Sequence, residues 1–257
     1  MTEKSPAQIV ALARSQTKIT TQEILNEVFD DFFEMHGDRQ GLDDQAIIGG
    51  VAYFEDMPVT VVATDKGQSV EEKIKKHFGS PQPAGYRKLL RLAKQAEKFN
   101  RPLITFVNTA GAYPGKTAEQ EGQGEALARC LLELGQLKVP FVTFILGEGG
   151  SGGALAMACG DRVYMLENSM YSVLSPEGFA SILWKDSKKV DKAAKVMQLT
   201  PESLLKNGVI EGVLAESDDH SQVISEIKKV LGRELTALSK KDVSELLTER
   251  YKRFRKF

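Results

Sequence analysis

Apolar and polar positions follow two different periods along the first third of the chain. Between residues 21 and 35 the apolar positions recur at helical spacing, which predicts an amphipathic helix. Residues 46–54 and 58–64 are short apolar runs rich in β-branched side chains, and they predict two strands joined by a tight turn. A second helix is predicted over residues 84–99, where leucine and alanine share one face.

One unit then occurs twice in succession. A proline, an apolar run, a glycine-rich turn and a helix follow one another from residue 102 and again from residue 140. The helices after the two turns are predicted at about 118–137 and at ALAMAC, residues 154–159. Strands that alternate with helices in this way predict an α/β architecture with buried strands.

The last third of the chain is predicted to be mostly helical. A capping serine and a proline predict a helix start at Ser175-Pro176-Glu177. Short strands are expected at 162–166, at 171–174 and near 209–214, and helices at 188–197, 201–207, 221–232 and 241–255. Because no low-complexity linker interrupts the chain, we predict one domain over residues 1–257, with a helical N-terminal arm and a helical C-terminal segment.

The composition is that of a soluble globular protein. Lysine and arginine number 34 against 35 acidic residues, so the net charge indicates neither nucleic acid nor an anionic membrane as partner. Two cysteines, Cys130 and Cys159, are too few for a disulfide framework or a four-ligand zinc site. No run approaches the roughly 18 apolar residues of a spanning helix, and the N-terminus lacks the features of a secretory signal. We therefore expect a cytoplasmic protein.

The first glycine-rich turn, TAGAYPGKT at residues 109–117, matches a loose phosphate-loop pattern from Ala110. In such a loop, consecutive backbone N–H groups point at phosphate oxygens ahead of a helix. Pro114 directly precedes the Gly-Lys pair and has no N–H. The next apolar strand ends at Glu148 rather than at an aspartate that could hold Mg²⁺. A nucleotide-binding loop that uses Lys116 is therefore an unfavoured alternative.

The second turn, GEGGSGGA at residues 147–154, has four glycines within five positions. Glycine permits close approach of a ligand to main-chain N–H groups, and the following helix would direct its positive N-terminus at the turn. Two such turns side by side would form a pocket of backbone donors for an oxyanion. The alternative is that the glycines only permit a tight connection between strand and helix.

Other catalytic patterns are absent from the sequence. The histidines His36, His77 and His220 are scattered, and we find no metal-binding spacing or paired carboxylates. A site without an obvious base but rich in donors suits enolate-type chemistry, in which the main task is to stabilise developing charge.

Five strings of the sequence together resemble one known family. They are HGDR, HFGSPQPAGYRKLLRL, TAGAYPG, GEGGSGGALA and YSVLSPEGFASILW. From about residue 8 onward the chain resembles the carboxyltransferase alpha subunit of bacterial acetyl-coenzyme A carboxylase. One position departs from the usual pattern of the first turn, since Ala110 replaces a proline.

The resemblance implies a crotonase-like fold, a spiral of repeated ββα units. It implies a beta subunit of similar fold as partner in an α2β2 assembly, and since that subunit has the zinc ribbon, no metal is expected in this chain. Biotin carboxyl carrier protein and biotin carboxylase are the other implied partners. The implied reaction moves a carboxyl group from carboxybiotin on the carrier to acetyl-coenzyme A, giving malonyl-coenzyme A for fatty acid synthesis.

The resemblance also implies a set of site residues. Backbone amides that map onto Gly152 and Gly153 are expected to stabilise the carbonyl oxygen of biotin as charge develops. Biotin is thus the expected cofactor, held by the carrier protein and not covalently by this chain. The expected substrate-binding residues lie in the two turns and in a basic stretch: Gly111, Ala112, Gly149, Gly150, Lys66 and Arg87.

Two basic regions have open interpretations. The first could face a phosphate or carboxylate ligand or could form a solvated helix face; it comprises Lys66, Lys73, Lys75, Lys76, Arg87 and Lys88. The second is the C-terminal helix that ends in YKRFRKF, which is predicted to face solvent or a partner. A stand-alone crotonase-like enzyme acting on acyl-coenzyme A is a further alternative, with Glu148 as its only nearby acid.

Overall fold

One mixed sheet of eight strands forms the centre of the molecule in the computed structural model, which describes residues 4–257. The strands are β1 (Asp30–Glu34), β2 (Ile47–Phe54), β3 (Met57–Thr64), β4 (Leu103–Thr109), β5 (Phe141–Gly150), β6 (Arg162–Leu166), β7 (Met170–Ser172) and β8 (Gly212–Leu214). Their order is β1-β2-β3-β4-β5-β6-β8, and β7 pairs with the end of β5. The first three strands are antiparallel, and pairing is parallel from β3 onward.

Helices cover both faces of this sheet. They are α1 (Pro6–Ala13), α2 (Thr21–Val28), α3 (Val70–Lys75), α4 (Pro83–Lys98), α5 (Lys116–Gln120), α6 (Gln123–Leu134), α7 (Ser151–Leu155), α8 (Pro176–Trp184), α9 (Val190–Met197), α10 (Pro201–Lys206), α11 (His220–Leu238) and α12 (Val243–Phe254). A short 3-10 turn spans His77–Gly79. Within residues 4–257 no helix is long and apolar enough to cross a membrane.

Alternating side chains of β4 divide the core between the two faces. Ile104 and Phe106 belong to a cluster with residues of α2 and α11, whereas Leu103 and Val107 belong to a cluster with residues of α4, α6 and α7. All four side chains are fully buried, and each such burial stabilises the fold by about 1.5–3 kcal/mol. Burial on both faces explains why the strand is a continuous apolar run.

Most predicted elements are confirmed, including the two strands before residue 65 and the helix at 84–99. The predicted helix at 21–35 is wrong in its second half, because α2 ends at Val28 and β1 follows. In β1 the ring of Phe32 packs on the core while Phe33 is exposed, an alternation that belongs to a strand. Pairing with β2, distant in sequence, overrides the helical spacing.

Two helices near the glycine-rich turns also differ from prediction. The helix predicted at 118–137 is divided at Gly122, whose φ of +87° lies in the left-handed region and ends α5 before α6 begins. The helix predicted at 154–159 begins earlier, at Ser151, and ends at Leu155. The chain then turns at Gly160, where a Cβ would lie 2.4 Å from the ring of Phe141. The turn into β6 therefore shortens α7.

The basic end of the chain is mostly exposed, as predicted for a solvated face, but two arginines of α12 are buried. Arg250 of α12 is 1% exposed and bonds both carboxylate oxygens of Asp161 at 2.8 Å. It also donates to three carbonyl groups between the end of α6 and the start of β5. Arg253 pairs with Glu211 at 2.9 Å. Bidentate geometry and added hydrogen bonds compensate for burying these charges, so α12 is part of the fold.

Candidate functional site

The two glycine-rich turns lie against each other at the carboxyl ends of β4 and β5. A Cβ on Gly150 would lie 2.0 Å from the carbonyl oxygen of Ala110. A Cβ on Gly153 would lie 2.6 Å from the amide nitrogen of Ala112. Contacts this short leave no room for a side chain, so glycine is what allows the turns to approach. The start of the segment 110–115 therefore lies directly beside the second turn.

Helix α7 begins at the second turn with free backbone donors. Gly150 is its N-cap residue, and no side chain caps the helix. The first N–H groups of a helix have no partner within the helix. Gly152 and Gly153 are the second and third residues of α7, so their amides are among these donors. The arrangement can donate to an anionic oxygen, while the role assigned to these two glycines stays a prediction.

The first turn uses some of its own donors internally. The Thr109 hydroxyl accepts the N–H of Gly111 and donates to the carbonyl of the same residue, at 3.0 Å each. The N–H of Tyr113 donates to the carbonyl of Pro81 at 2.9 Å. These donors do not converge on a phosphate, and Lys116 is exposed at the start of α5. The geometry therefore does not favour the nucleotide-binding alternative.

A cavity of about 780 Å³ opens beside the turns at the ends of β3, β4 and β5. Ala110 belongs both to its wall and to the first turn, and the loop after α1 closes another side. Its charged lining consists of Arg14, Lys18, Lys66, Lys73, Asp65 and Glu148. A cavity with an excess of cations at the carboxyl ends of parallel strands suits a small anionic ligand.

Glu148 is held between two cations at the edge of this cavity. Its carboxylate accepts from Nε of Arg14 at 2.8 Å and from Nζ of Lys66 at 2.6 Å, and the residue is 7% exposed. Burial opposes ionisation, but Lys66 and Arg14 outweigh it and hold the pKa of Glu148 below its ordinary value. An ionised carboxylate with both oxygens bound is poorly suited to act as an acid. This arrangement disfavours the stand-alone acyl-coenzyme A enzyme.

The N-terminal arm completes this ionic network. Arg14 follows α1 and also pairs with Glu177, in the first turn of α8, at 2.7 Å. The hydrogen bond that Arg14 donates to Glu177 is the largest reason that the pKa of Arg14 is raised. Arg14 therefore joins α1, β5 and α8. The sequence alone does not reveal its role, because a single arginine in a helical arm forms no recognisable pattern.

Asn108 is a second residue of the site that no sequence pattern identifies. Its side-chain oxygen accepts the N–H of Glu148 at 3.0 Å, and its own N–H donates to the hydroxyl of Thr64 at 2.6 Å. A Cβ on Gly147 would lie 2.7 Å from the same side-chain oxygen. Asn108 thus joins the ends of β3, β4 and β5. The available signal is a lone amide directly after the apolar run of residues 103–107, near the end of β4.

The structure separates Lys66 from Arg87. Lys66 lines the cavity, whereas Arg87 lies in a different cleft that contains none of the turn residues. There its Nε donates to the buried carboxylate of Asp38 at 2.8 Å and its Nη1 to the carbonyl of Glu121 at 3.1 Å. The two basic residues therefore do not form one surface, and substrate binding by Arg87 stays a prediction.

The other basic residues of this stretch also have separate partners. Lys88, 1% exposed, donates to the carbonyl of Asp44 at 2.8 Å and pairs with Asp43. The remaining pairs are Lys73 with Gln16, Lys75 with Glu71 and Lys76 with Asp65. The two interpretations of the stretch therefore apply to different residues, since Lys73 lines the cavity beside Lys66, whereas Lys75 is exposed on α3 and Lys88 is buried. In the described part of the chain, no three His, Cys, Asp or Glu side chains are placed to hold a metal ion.

The fold is that of carboxyltransferases with known structures. The transcarboxylase 12S structure, solved with methylmalonyl-coenzyme A, superposes with a TM-score of 0.70 at 20% identity, covering 90% of this chain and 44% of that chain. The beta subunit of geranyl-CoA carboxylase from P. aeruginosa gives 0.65 at 17%, covering 93% and 47%. A Pseudomonas malonate decarboxylase hetero-tetramer in complex with coenzyme A gives 0.67 at 17%, covering 81% and 85%. The predicted crotonase-like α/β fold is confirmed.

The chain belongs to the acetyl co-enzyme A carboxylase carboxyltransferase-like family, whose model matches residues 1–257. Relatives from Streptococcus pneumoniae strains Hungary19A-6 and D39 are each 54% identical over 252 residues, which is 98% of this chain and 99% of theirs. Both are named acetyl-coenzyme A carboxylase carboxyl transferase subunit alpha. The family resemblance and the predicted class of enzyme, a carboxyltransferase, are confirmed, and the name of a subunit implies a partner subunit.

Proposed function

We propose that this chain is the alpha half of an acetyl-coenzyme A carboxyltransferase. With a beta subunit it would transfer a carboxyl group from carboxybiotin to acetyl-coenzyme A and form malonyl-coenzyme A. The main structural support is the contact between the two glycine-rich turns beside uncapped amides of α7. Family membership over the full length supports the substrates.

The residues of the two turns fit the cyclic urea of biotin. A urea carbonyl that gains negative charge needs several N–H donors around its oxygen, and no side chain may fill the space that it occupies. The glycine at 150 and the amides of Gly152 and Gly153 meet both requirements. Carboxybiotin, when bound, supplies the carboxyl group that is transferred. The two amides would donate to its carbonyl oxygen and would stabilise the charge there as it develops.

The neighbouring residues would shape the rest of this pocket. We propose that Gly111 and Ala112 line the side that faces α7, since Gly111 has a φ of +135° and no Cβ to obstruct the opening. Gly149 and Gly150 would form its base, where β5 ends. Lys66 would contribute positive charge from the adjacent cavity. Charge of this kind attracts a carboxylate before the backbone donors engage it.

A second subunit would supply what this chain does not. Within residues 4–257, Glu148 is the only acidic side chain on β5, and it is already paired with two cations. The hydrogen-bond donors that stabilise the enolate of the acetyl group would then come from the beta subunit. We therefore propose a cytoplasmic α2β2 assembly in which a carrier protein brings biotin that biotin carboxylase has carboxylated.

Reconstitution tests this function directly. The chain and its beta subunit, mixed with carboxylated carrier protein and acetyl-coenzyme A, should form malonyl-coenzyme A, and neither subunit alone should do so. Turnover by the isolated chain would instead support the stand-alone acyl-coenzyme A enzyme. Binding of ATP with Mg²⁺ that is lost in Lys116→Ala would support the nucleotide-binding alternative.

A further inference from the structure

The hydroxyl of Tyr86 is a buried polar group without a hydrogen-bond partner among residues 4–257. Tyr86 lies in α4 and is 0% exposed. Burial raises the pKa of Tyr86 well above its ordinary value, so the phenol is protonated at neutral pH. Buried polar groups in folded proteins are nearly always paired, so an unpaired hydroxyl indicates either a cost to folding or a use in function.

This hydroxyl lies next to the proposed oxyanion donors. A Cβ on Gly153 would lie 2.5 Å from Oη of Tyr86 and 2.6 Å from the amide nitrogen of Ala112. Both polar atoms therefore lie on the same side of Gly153. The N–H of Ala112 also forms no hydrogen bond to another residue of the described chain. A phenol that can accept and an amide that can donate thus lie near each other where the two turns touch, with no hydrogen bond between them.

The first turn has further unused hydrogen-bonding capacity around it. Gln123 donates to the carbonyl of Pro81 at 3.0 Å, but its Oε1 has no partner in the described residues. The ring of His77 packs against Tyr113 with centroids 4.6 Å apart, and its Nδ1 is likewise unpaired in this part of the chain. The surroundings of the turn can therefore satisfy more than one arrangement of its backbone.

From this geometry we infer that Tyr86 is a positioning residue for the backbone donors of the second turn. The inference rests on the proposed function. When the amides of Gly152 and Gly153 hold the carbonyl oxygen of biotin, the Tyr86 hydroxyl accepts the N–H of Ala112. This bond ties the first turn to α4 at the point where α4 lies against Gly153. Tyr86 then fixes the spacing of the donors without touching the ligand. Because the hydroxyl is unpaired in the free protein, it contributes to turnover and not to folding.

The variant Tyr86→Phe in the assembled enzyme tests this role. We expect kcat to fall about tenfold, the effect of one hydrogen bond, with an unchanged KM for acetyl-coenzyme A and no loss of melting temperature. Saturating biotin should also slow amide hydrogen exchange at Ala112 in the wild type but not in the variant. An unchanged kcat, or a fall in kcat with an equivalent loss of stability, would overturn the inference.

The variant Tyr164→Phe is a matched control on the other face of the sheet. Its hydroxyl donates to Glu234 at 2.7 Å and accepts from Arg233 at 2.9 Å. Removing it should lower the melting temperature and leave kcat unchanged. A wild-type pair that forms no malonyl-coenzyme A would overturn the proposed function. Normal turnover by both the wild type and Tyr86→Phe would overturn only the role of Tyr86.

Discussion

A single methyl group should be far more disruptive at Gly153 than at Gly152, although the sequence presents the two glycines as a pair. At Gly153 the new Cβ would lie 2.5 Å from Oη of Tyr86 and 2.6 Å from the amide nitrogen of Ala112. At Gly152 its nearest neighbour would be a methyl group of Leu127 at 4.0 Å. Neither glycine has a positive φ, so the difference between them is steric.

The contacts at Gly153 indicate the size of the effect. A side chain can rotate away from a new methyl group, but the backbone of Ala112 can move only if the first turn moves. Overpacking of this kind costs about 1–3 kcal/mol of stability. Since the amide of Gly153 would move as well, the rate should fall by about 10²–10³, the usual effect of losing one oxyanion donor. In Gly152→Ala the amide stays in place, and the free energy of unfolding should lie within about 1 kcal/mol of the wild-type value.

Chemical denaturation of the isolated chain and malonyl-coenzyme A formation by the reconstituted pair measure these two effects. Gly124→Ala is the control, because its Cβ would meet nothing within 4 Å and alanine favours the helix α6. Equal denaturation midpoints for Gly153→Ala and Gly152→Ala would refute the close packing of the turns. A destabilised Gly153→Ala variant that retains the wild-type rate would refute the role of the amide.

Three further predictions concern charge and backbone strain. Glu148→Gln leaves Arg14 and Lys66 without their shared anion and should lower the free energy of unfolding, measured with urea, by about 1–3 kcal/mol. Because the pKa of Glu148 is lowered in the folded protein, this difference between variant and wild type should be lost as the pH falls below about 4.5. The pKa of His220 is raised, mainly because its ring is hydrogen-bonded to Glu23. The wild type should therefore be more stable than His220→Gln below about pH 6.5, and this difference should be lost at higher pH. That contribution should stay under about 1 kcal/mol, since the ring is partly exposed. Ser151→Gly should raise the free energy of unfolding by up to about 1 kcal/mol by relieving a φ of +52°.

The sequence predicted strands best where both faces are buried. The run from Leu103 to Val107 has apolar side chains at nearly every position and follows a proline, so few other structures fit it. The spacing of Phe29, Phe32 and Phe33 fits a helix as well as a strand. Only the pairing of β1 with β2 decides between the two, and that contact is not encoded in the local pattern.

The glycine-rich turns were visible in the sequence, but most of their surroundings were not. Lys66 and Glu148 are 82 residues apart, and Arg14 and Glu148 are 134 residues apart. Ion pairs over such distances depend on the fold, and no spacing rule predicts them. For the same reason the sequence could not show that Lys66 and Arg87 lie in different clefts or that Tyr86 lies beneath Gly153.

The bonds made by Arg250 bear on how the chain folds while it is being synthesised. Asp161, which Arg250 holds, accepts the N–H of Phe141, the first residue of β5, and the other end of β5 leads into the second turn. Before α12 has emerged, β5 can already pair with β4, β6 and β7, but the bonds of Arg250 at the start of the strand are missing. The start of β5 should therefore reach its full stability only after α12 has been synthesised, and a ribosome-bound fragment would hold this end of the strand less firmly than the finished chain does.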